Sequence, residues 1–333
     1  MKRLIIIASS ILTFPTIALA LITIKFINTP LNFGEAGVTY QIPSGTSFRY
    51  VSKSLQSLSV IDSPILFELW GRVTGQAKKI KAGEYLIEND LTPLEIIEKL
   101  VNGDVIQYSF TILEGWTVKE MLDALKKVKK LNHNITTEEQ IIDSLDMSTE
   151  NLEGMFFPDT YIFPLGYSDM DILSMSKSLM EEQVNAAWLS RDKDLFLNSP
   201  YELLILASIV ERESSLESER PDIAAVFLSR LKKGMRLQAD PTVIYALGDS
   251  FNGDLTRLDL QNSSPYNTYR YKGLPPTPIG LPSFSSLSAA ANPSQSEALY
   301  FVAIGDGTGM HEFSDTLKDH NDAVARYLKR LKE

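Results

Sequence analysis

The hydrophobic pattern opens on an uncharged run, Leu4–Ile24, preceded by Lys2 and Arg3 and closed by Lys25. As a helix this run would be about 31 Å long, close to the hydrocarbon thickness of a bilayer. Ala18-Leu19-Ala20 has the small-x-small form of a signal-peptide cleavage site. The apolar run continues through Leu21-Ile22-Thr23-Ile24, which favours an uncleaved transmembrane anchor over residues 1–26. Either reading exports the remainder, and Lys2 and Arg3 place the N-terminus on the cytoplasmic side.

Beyond a polar connector at about 27–37 the pattern predicts a small α+β module ending at residue 103. Val38–Ile42 and Glu84–Ile87 read as short strands. Ser63-Pro64 caps a helix carrying Ile65, Leu66 and Leu69. Thr92-Pro93-Leu94-Glu95 is a capping box ahead of Ile96, Ile97, Leu100 and Val101, with Gly103 as the stop. The order is β-α-α-β-α. A module of this size suits binding or spacing better than chemistry.

Residues 104–333 form a larger α+β domain, opened by the alternation Ile106, Tyr108, Phe110, Ile112 of a half-buried strand. Thr117-Val118-Lys119-Glu120 starts a helix with Met121, Leu122, Leu125 and Val128 on one side. The aromatic segment Leu152–Pro164 lines either a core or a sugar-binding groove. Leu299–Ile304 and His311–Phe313 read as strands joined by the turn Gly305–Gly309. The last helix, Leu317–Leu331, places Leu317, His320, Val324, Leu328 and Leu331 on one stripe, so His320 reads as packed and satisfied, not catalytic.

Composition narrows the chemistry. With 44% hydrophobic and 22% charged residues the chain is globular, and a net charge of −10 argues against nucleic acid as a partner. There is no cysteine, and the three histidines, His133, His311 and His320, are too few and too scattered for a metal site. No cofactor is expected, and catalysis must rest on carboxylates, hydroxyls, Lys, Arg or a distant His.

The strongest constellation starts at Ser199-Pro200-Tyr201-Glu202, which caps a helix whose next turns, Leu203–Val210, are apolar on almost every side. Such a helix is buried, and it ends in Glu211-Arg212-Glu213. Glu211 lies below Leu204, Ala207 and Ser208; Glu213 is turned about 200° away, so the two carboxyls have different surroundings. A carboxyl at the end of a buried helix has its pKa raised by desolvation, the condition for donating a proton near neutrality. Spacing alone favours a structural ion pair of Glu211 or Glu213 with Arg212, Arg220 or Arg230. A second helix follows, from about residues 218–221 to Lys233, and then the loops Gly234–Tyr245, Pro265–Tyr269 and Gly273–Gly280, rich in polar groups and stiffened by proline.

The runs Ala207–Glu213, Val226–Leu231, Met235–Tyr245, Tyr266–Tyr269, Gly273–Pro276 and His311 through Asn321 resemble the YceG-like endolytic murein transglycosylases, from the anchor to the C-terminus. The sequence departs from the pattern at Ser214, Ala239 and Thr277, none of which removes a titratable group. The resemblance implies a LysM-like subdomain at 27–103 and a catalytic domain at 104–333. It implies an inner-membrane enzyme that cuts peptidoglycan glycan strands between N-acetylmuramic acid and N-acetylglucosamine, leaving 1,6-anhydromuramoyl ends. Glu211 matches the catalytic glutamate, as general acid and then base. Gln238, Asp240, Asn267 and Tyr269 are candidate substrate contacts, with Glu213 and Arg230 as supports, and a penicillin-binding-type synthase is a candidate partner. A non-catalytic wall-binding protein and a water-using muramidase are the competing readings.

Overall fold

A computed structural model describes residues 2–33, 37–147 and 151–331, with side chains from residue 15 onward. The chain divides into two units, Met1–Tyr108 with Ile162–Tyr167, and Ser109–Tyr161 with Ser168–Glu333.

The first unit begins with α1 (Lys2–Ile27), which takes up the predicted anchor segment. Met1 and the side chains of residues 2–14 lie outside the described residues, and among the described residues no helix is long and apolar enough to cross a membrane. β1 (Val38–Ile42), α2 (Phe48–Ser57), α3 (Pro64–Val73), β2 (Gly83–Ile87) and α4 (Pro93–Asn102) follow in the β-α-α-β-α order read from the pattern. β1 and β2 pair antiparallel with Tyr40 opposite Tyr85. Their buried side chains pack on Phe48, Val51, Leu55, Phe67, Ile96 and Leu100. Phe48 and Phe67 stack at 5.3 Å, and only a glycine at 71 permits it, since a Cβ there would lie 2.5 Å from the Phe48 ring.

The α4 start is the capping box its sequence promised. Thr92 N–H donates to Glu95 at 2.7 Å, and Glu95 N–H donates back to the Thr92 hydroxyl at 3.2 Å. Gly103 closes the helix at φ 79°, a backbone conformation that glycine adopts without a Cβ clash. Thr92→Ala is expected to cost about 1 kcal/mol by leaving the Glu95 N–H without its hydroxyl acceptor, read as a shift in the chemical-denaturation midpoint.

β3 (Gln107–Thr111), α5 (Val118–Leu125), α6 (Glu138–Ser144), β4 (Thr160–Pro164) and α7 (Asp169–Leu189) come next, and β3 pairs with β4. The division between the units falls inside both of these strands. Then follow α8 (Pro200–Glu213), α9 (Arg220–Lys232), α10 (Asp240–Leu247), α11 (Phe284–Ala291), β5 (Tyr300–Ala303), β6 (His311–Ser314) and α12 (Leu317–Arg330). α8 is the centre of the second unit: Leu203 through Val210 are all buried, against α7, α9, α10 and α11. The aromatic segment lines cores, with Phe156, Phe157, Tyr161 and Phe163 all buried.

Three sequence expectations need correction. Residues 240–247, read as part of a loop, are helical, because Asp240-Pro241 supplies an acidic, preorganised first turn. The inward face of α12 is His320, Ala323, Val324 and Tyr327, whereas Leu317, Leu328 and Leu331 are exposed. Tyr327 turns inward because it packs on Gly305, where a Cβ would lie 2.7 Å from its ring. His320 stacks on Tyr300 at 5.2 Å, but its Nδ1 is buried with no hydrogen-bond partner among the described residues, so it is packed and not satisfied. Burial, with the nearby charge of Arg230, depresses its pKa.

Candidate active site

Glu211 sits in the last turn of α8 with its side chain 5% exposed. Arg220 Nη2, from the first residue of α9, donates to Glu211 Oε1 at 2.8 Å. Glu211 Oε2 accepts from the backbone N–H and the hydroxyl of Ser283, at 2.9 and 2.6 Å. Ser283 is the N-cap of α11, and its hydroxyl oxygen also accepts from Arg220 Nη1 at 2.8 Å. Three helix ends thus converge on one carboxyl. Burial alone, which the sequence suggested, therefore does not define the Glu211 environment; a guanidinium holds one carboxyl oxygen and a helix cap the other.

The segment after β3 completes this cluster. Gly115, at φ 72°, lies so near that a Cβ would be 3.8 Å from Glu211 Cγ. Gly115 N–H donates to Leu281 O at 2.8 Å and Leu281 N–H donates to Trp116 O at 2.7 Å, clamping the segment to the chain that leads into Ser283. Next to it, Glu114 is half exposed and its Oε2 lies 3.9 Å from the same Arg220 Nη2. Partial burial, with the charges of Glu211 and Glu217, raises the Glu114 pKa, while Arg220 opposes the shift.

Beside Glu211 in the chain, Arg212 donates to Ile279 O at 3.0 Å and borders a cleft of about 560 Å³ lined also by Lys119, Glu153, Tyr245 and Phe251. Glu153 is buried in its wall, accepting from Val118 N–H at 3.0 Å and from the Tyr245 hydroxyl at 3.1 Å. Burial outweighs these bonds and pushes its pKa up to about 7.

The other predicted residues form a separate group. Tyr269 donates its hydroxyl to Asp240, and Glu213 has its pKa pushed up to about 8 by burial and then by the charge of Asp240, against Arg230. Arg230 is spent inside the fold: Nε donates to Leu299 O at 2.7 Å, Nη1 to Leu237 O, and the guanidinium lies 5.3 Å over Tyr300. Asn267 is fully buried; its amide donates to Leu260 O and Asn262 O at 3.1 and 2.7 Å and its oxygen accepts from Tyr269 N–H. Asn267 and Arg230 are thus braces of the loops around them, not open substrate contacts. Gln238 is exposed and holds φ 53°, a left-handed conformation that its N–H bond to Thr268 O helps to fix. None of these residues is a hydrogen-bond partner of Glu211, whose partners are Arg220 and Ser283.

The raised carboxyls make a pH prediction. A group whose folded pKa lies above its unfolded value binds more protons when folded, so stability falls as pH rises between the two values. Glu153 and Glu213 set that window at roughly pH 4.5 to 8. The melting temperature should fall across this range, and Glu213→Gln should flatten the upper part of the fall.

Sequence reasoning missed Ser283 and Glu114 and saw Arg220 only as one of three ion-pair candidates. Glu114 carried a usable signal, an acid followed by glycine between a strand and a capping box. Among the described residues no group of three or more His, Cys, Asp or Glu could hold a metal ion.

The chain belongs to the YceG-like family, which matches residues 40–326. It is 33% identical over 317 residues to the endolytic murein transglycosylase of Bacillus subtilis, covering 89% of this chain and 86% of that protein. It is 26% identical over 327 residues to the endolytic murein transglycosylase of Streptococcus pneumoniae, covering 87% of this chain and 58% of that longer protein. The crystal structure of a YceG-like protein from Listeria monocytogenes superposes with a TM-score of 0.54 at 30% identity, covering 87% of this chain and 99% of that one.

Proposed function

We propose that the protein is a lytic transglycosylase that cuts peptidoglycan glycan strands internally, between N-acetylmuramic acid and N-acetylglucosamine, with Glu211 as its acid–base residue. The observation that carries this reading is a single carboxyl fixed by Arg220 and Ser283 at the end of a buried helix, in a chain whose relatives are named endolytic murein transglycosylases.

Protonated Glu211 gives its proton to the glycosidic oxygen as the bond to muramic C1 breaks, and the leaving sugar departs as its alcohol. The carboxylate then takes the proton of the C6 hydroxyl as that oxygen bonds to C1 within the same sugar, leaving a 1,6-anhydro end. One acid–base residue serves both steps, unlike the paired carboxylates of ordinary glycosidases. Glu213, Asp240, Tyr269 and Gln238 are candidate contacts for a neighbouring sugar, the first three joined electrostatically.

The same reading includes an uncleaved N-terminal anchor in the inner membrane with the catalytic domain outside the cytoplasm, a LysM-like module at 27–103 suited to binding or spacing, and a penicillin-binding-type synthase as partner. Lys2, Arg3 and the uncharged run Leu4–Ile24 support the anchor. Digestion of purified sacculi followed by mass spectrometry tests the activity. Anhydromuropeptides are expected; reducing ends would assign a water-using muramidase, and no products at all a wall-binding protein.

A further inference from the structure

The mechanism above needs Glu211 neutral first and ionised afterwards, yet the structure surrounds it with donors. Something must free the carboxyl to take up a proton when substrate arrives. Arg220 is the charged donor of the set, and it faces two carboxyls with one nitrogen: Nη2 is 2.8 Å from Glu211 Oε1 and 3.9 Å from Glu114 Oε2. The guanidinium is not fully committed, since its Nε is buried without a hydrogen-bond partner among the described residues. Glu114 is the solvent-facing member of the pair, with a side chain 53% exposed, on a segment whose backbone is clamped by Leu281.

We propose that Glu114 is a positioning residue that acts through Arg220: it is the alternative counter-ion that takes the guanidinium from Glu211, and so sets when Glu211 carries its proton. This rests on the reading of Glu211 as the acid–base residue. Substrate covering the half-exposed Glu114 strips its water and strengthens its pairing with Arg220. As Nη2 moves to Glu114, Glu211 Oε1 takes one proton from solvent. Glu211 delivers that proton to the glycosidic oxygen, regains one from the C6 hydroxyl, and returns it to solvent when Arg220 comes back to Oε1. Protons taken up and released balance over one turnover. The groups that face this exchange are Glu211 and Arg212 from α8, Glu217 in the short turn before α9, Arg220 at the start of α9, and the Ser283 hydroxyl at the start of α11.

The test is kcat and KM against pH for the whole chain on uncrosslinked glycan strands, comparing wild type, Glu114→Gln, Glu114→Asp and Glu211→Gln. Without a carboxylate at 114 the guanidinium stays on Glu211. Glu114→Gln is then expected to lower kcat roughly tenfold to a hundredfold, leave KM within about twofold, and move the alkaline limb of kcat to lower pH by about one unit. Glu114→Asp should restore most of kcat and the position of the limb. Wild-type kcat and limb in Glu114→Gln, with Glu211→Gln inactive, would overturn the role of Glu114 alone. A loss of kcat with an unmoved limb would also overturn it, by assigning Glu114 to the shape of its loop. Full activity of Glu211→Gln would overturn the acid–base reading beneath it.

Discussion

Glu211→Gln should abolish strand cleavage, lowering kcat by about 10²–10⁴-fold while the protein stays folded and still binds glycan. Glutamine keeps the shape and can still accept from Ser283, but it cannot donate a proton as an acid or take one from a hydroxyl. The substitution also leaves the guanidinium of Arg220, 4% exposed, without its nearest counter-charge. Removing one member of a buried pair is commonly destabilising by about 3–5 kcal/mol, and Glu114 at 3.9 Å recovers part of that by taking Arg220. A lowered but cooperative thermal transition, together with retained pelleting on sacculi, would separate lost chemistry from lost structure.

Arg220→Met should have the next largest effect. It removes donors to both Glu211 and the Ser283 hydroxyl at once, at 2.8 Å each. Glu211 would remain buried with Ser283 alone, an uncompensated charge that costs about 3–5 kcal/mol or forces protonation. The expected result is a large fall in the denaturation midpoint and loss of cleavage at neutral pH. Arg220→Lys keeps the charge but not the fork that reaches two acceptors, so stability should return further than activity does. Equal recovery of both would mean that Arg220 supplies charge only and does not position Ser283.

The local fold was readable wherever a motif announces itself within a few residues. The boxes at Thr92 and Thr117, the stop at Gly103, the strand Val38–Ile42 and the buried run of α8 all follow from short-range capping and periodicity. α7 carried a comparable signal in Ser168 and Asp171, which form a capping box, but its weakly segregated apolar positions hid a 21-residue helix. The stripe of α12 was misplaced because Gly305 and Tyr300, far off in sequence, choose which side chains turn inward.

The site was legible only in part for the same reason. The pattern marked Glu211 and Glu213 together, as carboxyls closing a helix with no polar face, and only the family resemblance chose Glu211 between them. The partners of Glu211 could not be singled out, because Arg220, Ser283 and Glu114 come from three separate segments that only the packing of α9, α11 and the turn after β3 brings together. Asn267 illustrates the opposite error. An amide in a polar loop suits a sugar, but here all its hydrogen bonds are spent on Leu260, Asn262 and Tyr269.

In the proposed mechanism one carboxyl, Glu211, closes the muramic C6 oxygen onto C1 with no water entering the product. The most direct measurement is digestion of glycan strands in heavy-oxygen water with mass analysis of the new ends. Anhydro ends with no heavy oxygen are expected for the wild-type chain, and new ends reduced by about 10²–10⁴-fold for Glu211→Gln. New ends that carry heavy oxygen, or cleavage by Glu211→Gln at close to the wild-type rate, would contradict this mechanism.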